Sequence, residues 1–264
     1  MPNDRLTREA IETLLTTCWL GRPVTVFDAI PSTNTWLAAQ ADGGAPQGAL
    51  AVADVQTAGR GRMGRTWQSP PGAGLLFSLL FRPAPPVTPG QVGQVAAAGV
   101  AAGLRERLGV EARLKWPNDV LIGGKKVAGL LGDASFRDGQ ADWVVVGVGL
   151  NANLAPADFP EPPPGGVAPT SLLAELGHPV ERAALLAALL AAIEPRYAAL
   201  VAGQPQVAEW RRLSATLGQP VRVTGGVAVE GVAEDIAADG SLLIRQADGR
   251  VATVAAGDVS LRPA

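Results

Sequence analysis

Histidine and cysteine are nearly absent from this sequence, with one of each in 264 residues. The single cysteine, Cys18, allows no intramolecular disulfide and no thiolate metal cage, which fits a reducing compartment. The single histidine, His178, excludes a multi-histidine metal centre, so no metal site is expected. His178 stands in Gly-His-Pro after a helical stretch, a C-cap position, and no Gly-x-Ser-x-Gly elbow accompanies it to make a hydrolase triad. The acids are scattered, without an evident catalytic pair. An excess of charge is missing too: 22 basic and 24 acidic residues give a net charge of -2. A general nucleic-acid binder usually carries a basic surplus to neutralise phosphates, so any anion site here must be local. No uninterrupted apolar run reaches the ~20 residues that span a bilayer, because Arg, Glu or Gly breaks each one. The opening MPNDRLTREAIETLL is amphipathic with acids and bases mixed, unlike a signal peptide. The expectation is a soluble, cytoplasmic protein with no membrane partner.

With 47% hydrophobic and 17% charged residues, the chain can bury a substantial core. Asp4 is a candidate cap for a first helix running towards Cys18. Val24 to Ile30 reads as a strand ended by Pro31, and Ser32-Thr33 as the cap of the next helix. Ala49 to Val55 and Gly74 to Arg82 are near-continuous apolar runs of strand length, as expected where both faces are covered. VGQVAAAGVAAGLRERLG reads as a helix closed by Gly109. Gly123-Gly124 and Asp138-Gly139 suit two-residue hairpin turns, whose central residues take positive φ. Residues Ala155 to Pro169 form a Pro/Gly-rich loop. The apolar stretch from Glu181 to Gly203 is a long helix bent or restarted at Pro195. From Leu217 the texture changes to short β-like runs separated by Gly-Gly, Asp-Gly and Asp-Gly turns, the signature of a small β-barrel appendage. Antiparallel hairpins interleaved with helices favour an α/β (α+β) fold, a mixed sheet with flanking helices.

Chemistry concentrates in two strings. The first is Gln56-Thr57-Ala58-Gly59-Arg60-Gly61-Arg62-Met63-Gly64-Arg65-Thr66-Trp67. Its glycines let backbone amides approach an anion, and its three arginines can surround phosphate or carboxylate oxygens. The spacing is neither that of a Walker A loop nor that of a dinucleotide fingerprint. Taken alone, the string is also compatible with a solvated Arg-Gly turn or a single-stranded nucleic-acid contact. The second string is Lys115-Trp116-Pro117-Asn118-Asp119, followed across the glycine turn by Lys125, Lys126, Ala128 and Gly129. A hairpin there sets Lys126 beside the Asn118-Asp119 strand, within reach of the same ligand. Ser32, Thr33 and Asn34 are either plain cap residues or a helix start that holds a small polar group.

Taken in order, Ser32-Thr33-Asn34, QTAGRGRMGRTW, KWPNDVLIGGKKVAGLL and GVGLNAN resemble the biotin protein ligase family. The likeness covers about residues 27–153 and resumes weakly towards Gly257-Asp258-Val259-Ser260-Leu261-Arg262. It implies a sheet related to class II aminoacyl-tRNA synthetases and an SH3-like C-terminal domain, with a catalytic part at 1–214 and the smaller domain at 215–264. By the same resemblance, Ser32, Thr33, Asn34, Gln56, Gly61 and Gly129 meet biotin, joined by Arg60, Arg62 and Lys126. ATP or the adenylate falls to Arg60, Arg62, Arg65, Trp67, Asn118, Lys126, Asn151 and Arg262, and catalysis to Lys126 and Arg62.

Biotin and ATP are then substrates, Mg2+ accompanies ATP, and the acceptor is a biotin carboxyl carrier protein or domain. Sheet edges of such folds can pair between subunits, so a homodimer is a further expectation. Two departures from the family pattern stand out. Gly132-Asp133 replaces an aliphatic residue and glutamate. Only one short helix precedes Val24, where many relatives carry a helix-turn-helix domain, so DNA binding is not expected. Three other readings stay open: a lipoate or octanoate ligase, a non-catalytic biotin or nucleotide sensor, and a single-stranded nucleic-acid binder.

Overall fold

The computed structural model describes residues 4–162, 166–224, 228–255 and 257–261. The elements in chain order are α1 (Arg8–Leu14), β1 (Val24–Ile30), α2 (Thr33–Asp42), β2 (Leu50–Gln56), β3 (Gly74–Phe81), α3 (Pro89–Leu108), β4 (Ala112–Lys115), β5 (Asp119–Ile122), β6 (Lys125–Arg137) and β7 (Gln140–Asn151). They are followed by α4 (Leu172–Leu176), α5 (Arg182–Val201), α6 (Val207–Leu213), β8 (Pro220–Thr224), β9 (Val229–Ile236), β10 (Leu242–Arg245), β11 (Val251–Val254) and β12 (Asp258–Leu261). Seven strands form a mixed sheet in the order β1-β2-β3-β7-β6-β5-β4. Only β1 and β2 run parallel, joined by the crossover helix α2, and the other neighbours are antiparallel.

Strand alternation divides two cores across this sheet. Leu50, Val52, Leu75, Phe77, Leu79, Val144, Val146 and Val148 point to the larger core with α3 and α5. Ala49, Ala51, Leu80, Trp143 and Val145 point the other way, to Leu37 and Ala41 of α2. All eight residues of β3 are buried, which is why its sequence reads as a continuous apolar run.

Both hairpin turns form as the sequence predicts: Gly123 and Gly124 have φ 56° and 76°, Asp138 and Gly139 have 52° and 77°. Gly109 closes α3 in the left-handed conformation, and Thr88 with Gln91 makes a capping box at its start. The turn expected at Gly225-Gly226 lies outside the described residues.

The first helix differs from expectation. Thr7 caps it, not Asp4, and it stops at Leu14 rather than near Cys18. Asp4 is taken by Arg182, whose buried guanidinium also bonds Asp54 and the Gly74 carbonyl. A buried cation left unpaired costs more than a lost cap, so the pairing prevails. The amides of Cys18, Trp19 and Leu20 donate to the Glu194 carboxylate at 2.8–2.9 Å, so this stretch is bonded to α5 instead of continuing the helix. Burial pushes the Glu194 pKa up, but the three amides and Arg22 outweigh it and leave the group below its ordinary value.

Helix α5 continues through Pro195 without restarting. Its mean hydropathy of 1.6 and its length would suit a membrane span, yet it lies against α3 in the larger core. The close approach depends on two glycines of α3. A Cβ on Gly99 would stand 2.8 Å from Ile193 Cα, and one on Gly103 would stand 3.2 Å from Leu189 Cα.

The C-terminal strands form a five-stranded antiparallel sheet, ordered β11-β10-β9-β8-β12. Its apolar face joins the larger core through Val221, Val223, Ile236, Leu242 and Ile244. Trp116 Nε1 and Gln94 Nε2 both donate to the Gly240 carbonyl, at 3.0 and 2.8 Å, which ties the two sheets together.

Two alanine substitutions on α3 should therefore act in opposite directions. Gly99→Ala is expected to destabilise by about 1–3 kcal/mol through overpacking against α5. Gly93→Ala, where an added Cβ meets nothing within 4 Å, is expected to stabilise by up to about 1 kcal/mol. Denaturant unfolding of both variants checks this, and equal effects would disprove the close packing.

Candidate functional site

One cavity of about 640 Å³ opens at the ends of β2, β5, β6 and β7, beneath the arginine loop. Every site residue expected from the sequence lines it except Arg262, which lies outside the described residues. Ser32, Thr33, Asn34, Gln56, Arg60, Gly61, Arg62, Arg65, Trp67, Asn118, Lys126, Gly129 and Asn151, from distant parts of the chain, share its walls.

At one end the lining is polar. Ser32 caps α2, its Oγ accepting from Thr35 N at 3.4 Å. The Thr33 amide and hydroxyl both donate to Gln56 Oε1, at 2.7 and 3.0 Å. This fixes the orientation of the Gln56 amide. Ser78 Oγ lies 2.7 Å from Thr33 Oγ1 and 2.6 Å from Asn34 Oδ1. Asn34 Nδ2 donates to the Leu131 carbonyl at 3.0 Å and to Asp133 Oδ2 at 3.1 Å. The Asn34 amide is thus engaged within the protein and braces this wall. Ser78 escaped sequence reasoning, although a lone hydroxyl inside the apolar run LLFSLLF was a visible signal.

The middle of the cavity is apolar and flat. Phe77, Leu130 and Val148 border it while their side chains pack into the larger core, and Gly129 pairs with Gly149 across β6 and β7. The Trp67 indole rests on this glycine floor: a Cβ on Gly149 would collide with the indole ring, and one on Gly147 with the Asn34 amide. Neither glycine is held at positive φ, so space rather than backbone conformation requires them. Trp67 Nε1 is buried without a hydrogen-bond partner.

The other end is cationic. Lys126 Nζ stands 2.6 Å from Asp119 Oδ1 and 5.5 Å from the centre of the Trp67 ring. Lys115 Nζ is 3.8 Å from Asp119 Oδ2. Arg62 reaches Asn118 Oδ1 at 3.4 Å, and Asn118 Nδ2 is fixed by the Leu130 carbonyl at 2.6 Å. Burial pulls the Arg62 pKa below its ordinary value, Asp119 opposing it and Arg65 adding to it. Asn151, at the end of β7, donates to the Thr170 carbonyl at 2.9 Å. A bulge between Val120 and Leu121 sets Lys126 opposite Leu121, the hairpin placement that the sequence predicts.

The arginine loop is folded, not splayed. Arg60 and Thr66 form an antiparallel bridge, Gly61 N donates to the Arg65 carbonyl at 2.7 Å and Trp67 N to the Gly59 carbonyl at 3.0 Å. Met63 at the tip has φ 55° and is exposed. Asp133 anchors the loop to β6 by receiving Arg60 Nη2 at 2.5 Å. The residue that departs from the family pattern thereby joins the loop to Asn34. The Pro/Gly-rich segment forms the facing wall with Pro160, Glu161, Pro162 and Val167, pinned where Lys126 N donates to the Ala168 carbonyl and Thr170 N to that of Lys126, both at 2.8 Å. Thr224 and Val259 of the C-terminal sheet complete the lining.

Comparison with known proteins agrees with this layout. Residues 26–151 match the biotin/lipoate A/B protein ligase family and residues 216–262 match the biotin protein ligase C terminal domain. The biotin--[acetyl-CoA-carboxylase] ligase of Mycobacterium tuberculosis is 37% identical over 248 residues, covering 90% of this chain and 88% of that protein. The bifunctional ligase/repressor BirA of Bacillus subtilis is 38% identical over 195 residues, and the match spans 59% of its length. The biotin protein ligase of Aquifex aeolicus, solved in complex with biotin and ATP, superposes with a TM-score of 0.77 at 28% identity, over 92% of this chain and all of that one. The chain belongs to the biotin protein ligase family.

Replacing Asp133 with asparagine should loosen the loop by about 1 kcal/mol, so that the Gly61 and Trp67 amides exchange about fivefold faster. Unchanged hydrogen exchange at both amides would show that Asp133 does not hold the loop.

Proposed function

We propose that this protein activates biotin with ATP as biotinyl-5'-AMP and then transfers biotin to a lysine of an acceptor protein. The observation that carries this reading is the grading of one cavity from a hydrogen-bonding end, through a flat apolar trough, to a cationic end. Biotin has the same sequence of parts: a ureido head, an apolar ring and chain, and a carboxylate. The head fits against Ser32, Thr33 and Gln56, the chain crosses the Gly129 and Gly149 floor, and the carboxylate meets Lys126 and Arg62.

Bringing a carboxylate to the α-phosphate of ATP joins two anions and builds charge on the phosphate oxygens. Positioned cations are what such a step requires, because charges fixed in advance need no reorganisation as the reaction proceeds. The carboxylate oxygen bonds to the α-phosphorus while the bond to the bridging oxygen breaks, and pyrophosphate leaves with the electron pair. Arg60, Arg62 and Lys126 offset the charge, and Asn118 and Asn151 orient the adenylate. Trp67 offers an aromatic face and its free Nε1–H. The folded loop keeps water from the mixed anhydride until an acceptor amine attacks its carbonyl carbon and releases AMP.

Among the described residues no cluster of three or more His, Cys, Asp or Glu side chains forms a metal site. Magnesium, which shields the phosphate charge, therefore fits here as part of the ATP complex, with phosphate oxygens as its main ligands. The acceptor we infer is a biotin carboxyl carrier protein, since relatives are named biotin--[acetyl-CoA-carboxylase] ligases.

Pyrophosphate release with biotin, lipoate or octanoate supplied separately tests the reading. Release with biotin alone is expected, because the polar end would have to bury unpaired groups against an octanoyl chain. Release with none of the acids would point to a sensor, and release with octanoate to the related ligases. Lys126→Ala should slow adenylate formation about 100- to 1000-fold in a protein that still folds. Near-normal release by that folded variant would overturn the role of Lys126.

A further inference from the structure

The backbone of Lys126 is paired by the sheet on one side only. Leu121 of β5 stands across from it, but the register with β7 starts at Ala128, opposite Leu150. The place beside Lys126 that β7 does not reach is taken by the end of the Pro/Gly-rich segment, in an isolated parallel bridge to Pro169. The Lys126 amide donates to the Ala168 carbonyl and the Thr170 amide donates to the Lys126 carbonyl, both at 2.8 Å. Both backbone groups of Lys126 are therefore held by this short stretch. Pro169, which has no amide proton to donate, is the residue of the stretch that lines the cavity with Val167.

Thr170 lies behind that wall, 1% exposed, and makes two further bonds. Its carbonyl accepts from Asn151 Nδ2 at 2.9 Å, and its hydroxyl donates to Glu175 Oε1 at 2.6 Å. Glu175 belongs to α4 and also stands 3.3 Å from Lys125 Nζ. Helix α4 is fastened just beyond the end of β7: its cap Ser171 donates to the Leu154 carbonyl at 2.7 Å, and the Leu173 amide donates to the Ala152 carbonyl at 2.9 Å. Thr170 thus joins the backbone of Lys126, the side chain of Asn151 and a helix anchored to the central sheet. Its amide and carbonyl would serve with any side chain except proline. The bond to Glu175 requires the hydroxyl, and it is what fixes the other two to α4.

We propose that Thr170 is a positioning residue for adenylate formation, holding Lys126 and Asn151 in one frame through its backbone and locking that frame to α4 through its hydroxyl and Glu175. The proposal rests on the ligase reading, in which Lys126 meets the biotin carboxylate and Asn151 orients the adenylate, and it adds a residue that touches neither substrate. Attack on the α-phosphorus requires the two reacting groups in line, and a misplacement of about 1 Å can slow such a step about 100-fold. A single residue that fixes a contact to each group controls their mutual placement.

Steady-state pyrophosphate release by Thr170→Val and Thr170→Ser tests the assignment. Valine keeps the shape and the backbone bonds but has no hydroxyl, so kcat is expected to fall about 10-fold while KM for biotin stays within about twofold of wild type. Serine restores the hydroxyl and should restore most of kcat. An unchanged kcat for Thr170→Val, a loss confined to KM, or a serine variant as slow as the valine one would overturn the proposal. Glu175→Ala breaks the same bond from the α4 side and serves if the buried valine prevents folding. Its kcat should fall similarly, and the double variant should be no slower than the slower single one, because both changes remove one interaction. Losses that multiply would show two separate effects and contradict the lock.

Hydrogen exchange reads the lock without turnover. The Lys126 and Thr170 amides should exchange about fivefold faster in Glu175→Ala than in the wild-type protein, and unchanged exchange at both would overturn the proposal. If biotin and ATP yield no pyrophosphate with the wild-type protein, the ligase reading fails, while the exchange rates still decide whether the Thr170 hydroxyl holds the backbone of Lys126.

Discussion

The site is organised around one shared carboxylate. Asp119 pairs with Lys126 at 2.6 Å through one oxygen and stands 3.8 Å from Lys115 through the other, and its charge also acts on Arg62. Water would screen such a cluster if it were open, but here it is walled by the arginine loop, the Pro/Gly-rich segment and the C-terminal sheet. Partial burial strengthens the interactions between these charges and any anion that enters.

The sheet sets that cluster beside a glycine-floored stretch of the cavity. Covering β3 on both faces fixes the centre of the sheet, so that the ends of β6 and β7 can afford glycines where side chains would fill the trough. Arg182 ties Asp4, Asp54 and Gly74 together just behind the end of β2 that carries Gln56. The C-terminal sheet is bonded through Trp116 to the strand that ends in Lys115, so the two sheets share the cationic end instead of merely touching.

Much of this could be read from local pattern. The strand Val24 to Ile30, the cap at Ser32, the left-handed Gly109 and the two hairpin turns all follow from short-range chemistry that the surrounding structure does not override. The resemblance of four strings to one family brought the cavity lining together across more than a hundred residues. What stayed hidden depended on partners far away in sequence. Asp4 looked like a cap because Arg182, 178 residues on, is invisible to a local pattern. Asp133 looked like a departure, and only its geometry shows it joining Asn34 to Arg60. Lys115 was part of a known string, and only the structure shows it sharing Asp119 with Lys126.

The claim that the cavity is graded from polar to cationic is most directly tested by titration calorimetry of biotin against biotinol, its primary alcohol, with the same head, ring and chain but no charge. The account predicts that the alcohol binds at least about tenfold more weakly, since it forfeits a charge-assisted contact with Lys126 and Arg62. Equal affinity for the two would mean that the cations do not receive the carboxylate, and the placement of biotin along this cavity would be wrong.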